Sequence, residues 1–217
     1  KSYPLELKKG NRIDGYYSLH LPPSLFKGSG GTYFIEATDV NGQNTKTEAV
    51  TFSIKSGISI GYVQDFEKDC SGFEFGGESN LWKWGALDPA QPNHKMIGTG
   101  SYHHNLKGDT IAVMPPIDLT QEKENAILRF RHRYDLGNSE HAWFDQAEVW
   151  IAEVDETSDV DNLNWQRKRT FQNHSQGWVD ESIDLSAYKG KKICVMLGLR
   201  GNGEYKTEGG GWLIDDI

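Results

Sequence analysis

The sequence predicts an all-β protein, in which a small β-sandwich segment precedes a two-sheet jelly-roll sandwich. Three observations support this fold class. Short runs alternate apolar and polar residues, polar and glycine-rich segments separate these runs, and sustained helical amphipathicity is missing. Eight candidate strands follow one another between residues 61 and 217, as expected for two packed sheets.

The first predicted module, residues 1–56, contains a β-hairpin. The stretch "GTYFIEATDVNGQNTKTEAVTFSI" has two strand-like runs on either side of the turn-rich "DVNGQN". Fifty-six residues are few for a complete sandwich, so this module is expected to be truncated or to be an appendage. Apolar residues recur at every second position of the two runs: Tyr33, Ile35 and Ala37, then Val50, Phe52 and Ile54.

A linker is predicted at residues 57–61, because "KSGISIG" is rich in glycine and serine. The second module, residues 62–217, contains all seven tryptophans. Arg129, Arg131 and Arg133 alternate with Leu128, Phe130, His132 and Tyr134, which predicts a half-buried strand. The eight candidate strands are Val63–Phe66, Thr110–Val113, Ile127–Tyr134, Ala147–Glu153, Trp165–Phe171, Trp178–Asp184, Lys191–Leu199 and Trp212–Ile217.

Composition excludes several classes of function. A net charge of −8 argues against nucleic-acid binding, which needs a basic surface. No apolar run approaches the length of a membrane-spanning helix. The opening "KSYPLELKKG" is not a plausible native start, and the sequence stops inside a strand pattern, so an excised fragment of a longer protein is expected. Cys70 and Cys194 form either one disulfide or two small buried apolar contacts.

The sequence predicts no catalytic residue. It lacks a G-x-S-x-G elbow, an H-E-x-x-H zinc motif and paired C-x-x-C motifs. Ser101 lies near His103 and His104, but adjacent strand residues face opposite sides. A lectin-fold glycosidase is an alternative, because glycosidases use a pair of carboxylates. Its candidate acids are Glu148 and Glu153 on one strand and Asp180, Glu181 and Asp184 on another.

Carboxylates at the two ends of the second module predict a calcium site. In an extended strand, Asp65 and Glu67 of "YVQDFEKDC" share one side, while Phe66 packs on the other. In "GGGWLIDDI", Asp216 is expected on the face of Trp212 and Ile214, with Asp215 pointing away.

The first and last strands of a jelly roll commonly pair, so Glu67 and Asp216 are expected to converge around a hard cation such as Ca²⁺. Asp65 and the loop residue Asp109 are further candidate ligands. The alternative is that these acids cap turns or form ion pairs.

Several motifs resemble MAM-type jelly-roll domains. They are "DFEKDCSGF", "NLWKWG", "MPPIDLTQEKENAILRFRHRYDL" and the closing "GGGWLIDDI". More closely, "FDQAEVWIAE", "NWQRKRTF", "GWVDESIDLSAYKGKKICVMLGL" and "GWLIDDI" are similar to the MAM-like region of two secreted bacterial protease families. These are the bacillopeptidase F type of subtilisin-like serine protease, which we favour, and the immune inhibitor A type of metalloprotease. The resemblance covers residues 61–217.

The sequence departs from the MAM pattern at its cysteines. Animal-type domains have four, whereas Val63 and Gln64 stand where the usual partner of Cys70 would be. The family disulfide therefore does not carry over. Residues 1–56 resemble immunoglobulin-like or fibronectin-like accessory modules, which implies a core position for Tyr33 and a turn at Asp39–Gly42.

These resemblances imply a non-catalytic accessory fragment of a secreted, extracellular bacterial protease. Its expected role is to bind a protein or glycan surface, or the catalytic domain of its parent, and to stabilise that parent. A carbohydrate-binding module is the alternative from another functional class. Trp82, Trp84 and Trp143 lie in or near predicted loops and are the candidate ligand-binding residues, although a core position is also compatible with each.

Overall fold

The computed structural model describes residues 1–21, 30–54, 57–103, 107–137, 145–155, 158, 162–202 and 208–217. The chain divides into two compact units, Lys1–Lys55 and Ser56–Ile217. The predicted all-β class is confirmed. Across the described ranges, the regular elements are nineteen β-strands and one turn of 3-10 helix at Ser186–Tyr188. None of the described helical segments has the length and apolar character needed to cross a membrane.

The first unit contains three antiparallel strand pairs. The predicted hairpin is present, because β4 pairs with β5 around the turn at Asp39, whose carbonyl accepts a hydrogen bond from the Gly42 amide. Its other pairs are β1 with β2 and β3 with β6. The strands are β1 (Glu6–Gly10), β2 (Gly15–Ser18), β3 (Gly30–Tyr33), β4 (Glu36–Thr38), β5 (Asn44–Lys46) and β6 (Val50–Ser53).

The core position expected for Tyr33 is wrong. Its side chain is 49% exposed. Strand β3 belongs to a two-stranded sheet, and the described side chains of this sheet are mostly exposed. A two-stranded sheet on its own has little apolar surface to bury.

The second unit is a sandwich of two antiparallel sheets. Sheet I has the order β15-β14-β17-β11-β7, with β12 also paired to β17, and sheet II has the order β16-β13-β19-β9-β8. A short pair, β10 with β18, lies outside both. The strands of sheet I are β7 (Glu74–Gly77), β11 (Lys107–Val113), β12 (Ile117–Asp118), β14 (Gln146–Val154), β15 (Gln166–Phe171) and β17 (Lys192–Asn202).

Sheet II contains the last strand of the chain at its centre. Strand β19 pairs with β13 on one side and β9 on the other. The remaining strands are β8 (Lys83–Gly85), β9 (Met96–Gly98), β10 (Tyr102–His103), β13 (Ile127–Asp135), β16 (Val179–Asp184), β18 (Glu208–Gly209) and β19 (Gly211–Asp215).

The alternation predicted for β13 is confirmed. Leu128, Phe130 and His132 are buried, whereas Arg129 and Arg131 are exposed. Period-2 patterning succeeds here because one face of the strand packs on the core and the other faces solvent. Facing residues of both sheets form that core, including Val149, Ile151, Val195 and Leu197 from sheet I and Leu128, Phe130, Trp212 and Ile214 from sheet II.

An aromatic cluster joins the two sheets inside the core. The Trp212 ring centroid lies 5.7 Å from that of Trp82 and 6.0 Å from that of Phe171, which comes from sheet I. The Trp212 indole donates a hydrogen bond to Nδ1 of His132 at 3.2 Å. Since Nδ1 must accept, the neutral ring carries its proton on Nε2. Burial lowers the pKa of His132 to about 4.

The two ends of the second unit lie side by side, as predicted. Gln64 and Ile217 exchange two backbone hydrogen bonds, of 2.7 and 3.0 Å. The extended strand predicted at Val63–Phe66 is wrong, however. Phe66 adopts a left-handed backbone conformation with φ of 53°, and its side chain is fully buried. The segment turns into the core at this residue instead of continuing as a strand.

A buried aspartate fastens the β8–β9 loop over sheet II. Asp88 accepts hydrogen bonds of 3.0 Å from the Arg133 guanidinium, the Trp178 indole and the Ala90 amide. Burial alone would raise its pKa, but these hydrogen bonds and the charge of Arg133 outweigh burial and lower it. Because β19 lies between β9 and β13, the loop folds back over β19 to reach Arg133.

We expect Asp88→Ala to lower the free energy of unfolding of the second unit by about 3 kcal/mol. The substitution leaves the Trp178 indole and the Arg133 guanidinium without their acceptor and loosens the cover over β19. Urea denaturation measures the change. Asp180→Ala, on the exposed outer face of the same sheet, is the control and should shift stability by less than about 0.5 kcal/mol. Equal effects of the two substitutions would contradict a fastening role for Asp88.

Candidate functional site

The candidate site lies where the opening segment of the second unit meets the end of β19. We call Glu67, Asp215 and Asp216 the terminal carboxylate cluster. Gln64 and Ile217 are joined by backbone hydrogen bonds. Glu67 comes three residues after Gln64, and the two aspartates directly precede Ile217. Glu67 and Asp216 both lie close enough to Asp215 for their negative charges to raise its pKa. The fold thus brings together residues that are far apart in the sequence.

The orientation predicted for Asp216 is wrong, whereas Asp215 points away from the face of Trp212 and Ile214, as predicted. Asp215 is only 7% exposed, whereas Asp216 is exposed. Alternation along β19 places Asp215 on the outer face with Leu213, yet both side chains are buried there. Asp216 has a φ of 49° and leaves the strand, so alternation no longer applies to it.

Asp215 carries the clearest electrostatic signal of the cluster. Burial is the main cause that raises its pKa to about 6, and the negative charges of Asp216 and Glu67 add to it. The Asp216 amide, which donates to Asp215 Oδ1 at 2.9 Å, and the charge of Arg131 act in the opposite direction. A half-compensated carboxylate of this kind is typical of functional sites and of cation ligands.

Glu67 and Asp216 are held by basic neighbours. Glu67 Oε1 lies 3.1 Å from Nδ1 of His94 and accepts the Lys95 amide at 3.3 Å. Asp216 accepts from the Arg131 guanidinium at 3.1 Å. Arg131 also lies 5.5 Å from the Trp178 ring centroid. Asp216 therefore forms the ion pair that was the alternative to metal binding, whereas Glu67 is held by hydrogen bonds.

Two further predicted metal ligands lie elsewhere. Asp65 is exposed, and its Oδ1 accepts the Glu67 amide at 3.1 Å, which is the turn-capping alternative. Asp109 is wrong as a member of this cluster. It lies on β11 of sheet I and forms a bidentate ion pair with Arg200, at 2.8 and 3.1 Å. The two sheets separate it from the terminal carboxylate cluster.

The donor chemistry of the cluster fits a hard cation, since carboxylate and carbonyl oxygens are the ligands that Ca²⁺ prefers. Its geometry is not that of a closed metal centre. Among the residues that the structure describes, no three His, Cys, Asp or Glu side chains are grouped as a complete ligand set. A cation would have to draw Glu67 and Asp216 away from His94 and Arg131.

The three candidate tryptophans have different positions. Trp82 has the core position that was its alternative, since it is 4% exposed and stacks near Phe75 and Trp212. Trp84 is 37% exposed and donates to the Phe66 carbonyl at 2.8 Å. The Lys95 ammonium lies 4.9 Å from its ring centroid. Trp143 lies outside the described residues.

The five acids that were candidates for a glycosidase site each contact a different partner. Glu148 pairs with Arg167, Glu153 with Lys191, and Glu181 with Arg169. Asp184 accepts from the Ser186 amide, and Asp180 lies 3.8 Å from Arg131. These five acids do not form the facing carboxylate pair that glycoside hydrolysis uses. His104 lies outside the described residues.

Sequence reasoning missed Arg131 as a partner of Asp216 and Asp88 as the anchor of the covering loop. The pattern of outward arginines on β13 was visible. This pattern alone does not identify Asp216 as the partner of Arg131. That step also requires knowing that β13 lies beside β19, where Arg131 is opposite Asp215. Cys70 and Cys194 are both half-buried and are not joined in a disulfide, and burial raises the pKa of the Cys194 thiol.

Comparison with known proteins supports the resemblance that the motifs predicted. The chain is 30% identical over 214 residues, 96% of its length, to bacillopeptidase F of Bacillus subtilis strain 168. It is 31% identical over 124 residues, 53% of its length, to immune inhibitor A of Bacillus thuringiensis subsp. alesti. These matches span 14% and 16% of the two relatives. No family model matches the chain.

Two solved structures resemble the sandwich. The K1 cleaved adhesin domain of Lys-gingipain from Porphyromonas gingivalis W83 aligns with a TM-score of 0.44 and 12% identity, over 71% of this chain and 96% of that domain. The C-terminal family 22 carbohydrate-binding module of Clostridium thermocellum Xyn10B aligns with a TM-score of 0.45 and 8% identity, over 72% of this chain and 90% of that module.

We expect Asp215 to make stability fall as pH rises. Its pKa of about 6 in the folded state lies above the ordinary value of 3.8, so the folded state binds the proton more tightly between these values. In chelator, the stability of Asp215→Asn relative to the unsubstituted chain should therefore increase from about pH 4 to pH 7. Urea denaturation at several pH values measures this difference.

His132 acts with the opposite sign, because its folded pKa of about 4 lies below the ordinary 6.5 and stability falls as pH drops through this range. The effects of Asp215 and His132 on the pH dependence of stability partly cancel in the unsubstituted chain. The stability difference between Asp215→Asn and the unsubstituted chain isolates the effect of Asp215. Asp180→Asn, at an exposed position, serves as the control. A difference for Asp215→Asn that does not change with pH would rule out a raised pKa.

Proposed function

We propose that this chain is a non-catalytic accessory region of a secreted bacterial protease, which binds a protein or glycan surface on behalf of the parent enzyme. One observation carries the proposal. Nearly the whole chain matches a stretch that makes up only 14% of bacillopeptidase F. Such a segment is a component of a larger enzyme, and the sequence and described site residues offer it no catalytic set of its own.

The physical character of the second unit supports a binding role. Its core is continuous between two sheets, and its buried acids on the outer faces, Asp88 and Glu148, are fixed by arginine and tryptophan partners. Binding surfaces built on rigid strands lose little conformational entropy when a partner docks. The longer match to bacillopeptidase F than to immune inhibitor A favours a serine protease parent and an extracellular location.

We further propose that Ca²⁺ binds at the terminal carboxylate cluster and stabilises the junction of the opening segment with β19. Asp215 supports this proposal, since its burial beside two acids leaves negative charge that a divalent cation would compensate. Glu67 and Asp216 would complete the carboxylate set, with backbone carbonyls as further ligands.

Deleting this region from the full-length parent should separate two activities. We expect kcat/KM for a short chromogenic peptide to stay within about twofold, because such a peptide does not need a distant binding surface. For a polymeric or surface-attached protein substrate we expect a loss of about tenfold, equivalent to about 1.4 kcal/mol of binding. Equal losses on both substrates would indicate a role in folding alone, and no loss on either would overturn the proposal.

Calcium should raise the melting temperature of the chain above its value in chelator. At about 100 times the dissociation constant, linkage gives about 2.7 kcal/mol, or about 5–10 °C for a domain of this size. Differential scanning calorimetry measures the shift. Asp215→Asn and Glu67→Gln should reduce it, whereas Asp109→Asn, on the other sheet, is the matched control. An undiminished shift in Asp215→Asn, or no shift in the unsubstituted chain, would exclude the site.

A further inference from the structure

The first half of β13 has a neighbouring strand on only one of its two sides. Strand β13 pairs with β16 from its first residue, but it pairs with β19 only from Arg131 onward. Strand β19 leaves β13 at Asp216, where the backbone φ is 49°, and the backbone of Ile217 then bonds to Gln64 instead. Among the described residues, no strand therefore lies beside residues 127–130 on the β19 side. We call this side of residues 127–130 the open edge.

The backbone groups of Ile127 and Arg129 point toward the open edge. Successive residues of a strand direct their N–H and C=O groups to opposite sides. The carbonyls of Ala126 and Tyr134 each accept, at 2.9 Å, from an amide that follows or precedes β16 in the sequence, so the even-numbered residues face β16. The odd-numbered residues face the other way. Within the ranges that the structure describes, two N–H and two C=O groups thus have no backbone partner.

An apolar groove of about 550 Å³ lies beside the open edge. The start of β13, the opening segment 58–63 and the chain around β12 line it. Five large apolar side chains are exposed in the described part of the second unit, and three of these line the groove. The three are Ile60 (53% exposed), Val63 (78%) and Ile127 (49%). A cluster of exposed apolar side chains around a groove marks an interaction site.

Arg129 differs from the other outward arginines of β13, because it has no acidic partner. Arg131 pairs with Asp216 at 3.1 Å, and Arg133 pairs with Asp88 at 3.0 Å. No carboxylate in the described part of the chain lies within ion-pair distance of the Arg129 guanidinium. The Arg129 side chain is exposed and lines the apolar groove. A carboxylate is the group that a guanidinium binds best.

Three nearby acids limit what can dock beside Arg129. Asp180 and Asp216 both lie near Arg131, at 3.8 and 3.1 Å, and Asp184 accepts from a backbone amide after β16. Asp216 also belongs to the terminal carboxylate cluster. Because these surroundings are already acidic, a docked segment can place one carboxylate directly opposite Arg129, but further acids would be repelled. Its other residues are therefore uncharged, and those that face the groove are apolar.

We propose that an extended segment of the parent protease, from outside residues 1–217, adds to sheet II as a strand at the open edge. Its backbone supplies partners for the N–H and C=O groups of Ile127 and Arg129, which is the mode of recognition by strand addition. A single acidic side chain lies opposite Arg129, and apolar neighbours fill the groove. This inference rests on the proposed function, in which the chain is one component of a larger protease.

The short length of the open edge favours a tethered occupant. Four backbone hydrogen bonds and one exposed ion pair do not offset the translational and rotational freedom that a separate molecule loses on binding. A segment of the same polypeptide avoids most of this loss, because tethering gives it an effective concentration of about millimolar. Bacillopeptidase F, of which the match spans 14%, has most of its polypeptide outside the matched stretch. A second copy and a separate protein are the competing occupants.

Amide hydrogen exchange at single-residue resolution tests the proposal. It compares the 217-residue chain with the full-length parent, inhibited to prevent self-digestion, at one fixed calcium concentration. We expect the amides of Ile127 and Arg129 to exchange at least about tenfold more slowly in the parent, because each gains a backbone acceptor there. Leu128 and Phe130, whose amides face β16, are internal controls that exchange slowly in both proteins.

Charge reversal at Arg129 tests the predicted acid. In the parent, Arg129→Glu should return exchange at the Ile127 amide to within about twofold of its rate in the 217-residue chain, since two acids would then face each other. Arg129→Lys should keep most of the protection. Lys83→Glu, which reverses a charge at an exposed position on β8, is the matched control and should have no effect. Melting temperatures of all variants report on folding.

Three results would overturn the proposal. They are equal exchange of both amides in the two proteins, slow exchange of both already in the 217-residue chain, and full protection in a folded Arg129→Glu parent. Protection that increases with protein concentration would identify a second copy as the occupant and would also overturn it. Equal exchange together with the selective loss on polymeric substrates after deletion would leave the accessory function intact. Protection without that loss would support the docked segment and overturn the accessory function.

Discussion

Burial of β19 on both faces is the constraint on which the second unit depends. Its inward residues Trp212 and Ile214 fill the space between the sheets, while Leu213 and Asp215 are buried on its outer side. The strand is last in sequence but central in sheet II, between β13 and β9. Neither sheet II nor the aromatic cluster can be complete without it. Its pairings join residues far apart in sequence, which is a slow step in folding.

The buried acids of the sandwich follow one pattern with one exception. Asp88 and Glu148 lie on the outer faces of opposite sheets, and each accepts from an arginine guanidinium and a tryptophan indole. This combination satisfies the oxygens of a buried carboxylate with charge-assisted and indole hydrogen bonds. Asp215 instead has two acids nearby, and its pKa rises. The contrast distinguishes acids that hold the structure together from an acid whose charge is left for another group to compensate.

Much of the second unit could be predicted from sequence because its long strands are long apolar–polar runs, of which β13 alternates most cleanly. The segments β13, β14, β16 and β17 were each identified from runs of six or more residues. The short strands β8, β9 and β12 were missed, since two or three residues are too few to show a period. In the first unit, the hairpin turn at Asp39–Gly42 was predictable from its local turn chemistry.

The errors at the candidate site have backbone and topological causes. Positive φ at Phe66 and Asp216 broke the alternation used to orient Glu67 and Asp216.

The hydrogen bonds between Gln64 and Ile217 have a consequence for how such a unit can be carried by a host protein. Polypeptide that leads into residue 64 and polypeptide that continues from residue 217 would therefore meet the sandwich side by side. A host protein could therefore carry the sandwich as an insertion in a single surface loop, without a change in the rest of its fold. A unit mounted in this way can be gained, lost or exchanged between enzymes without rebuilding them.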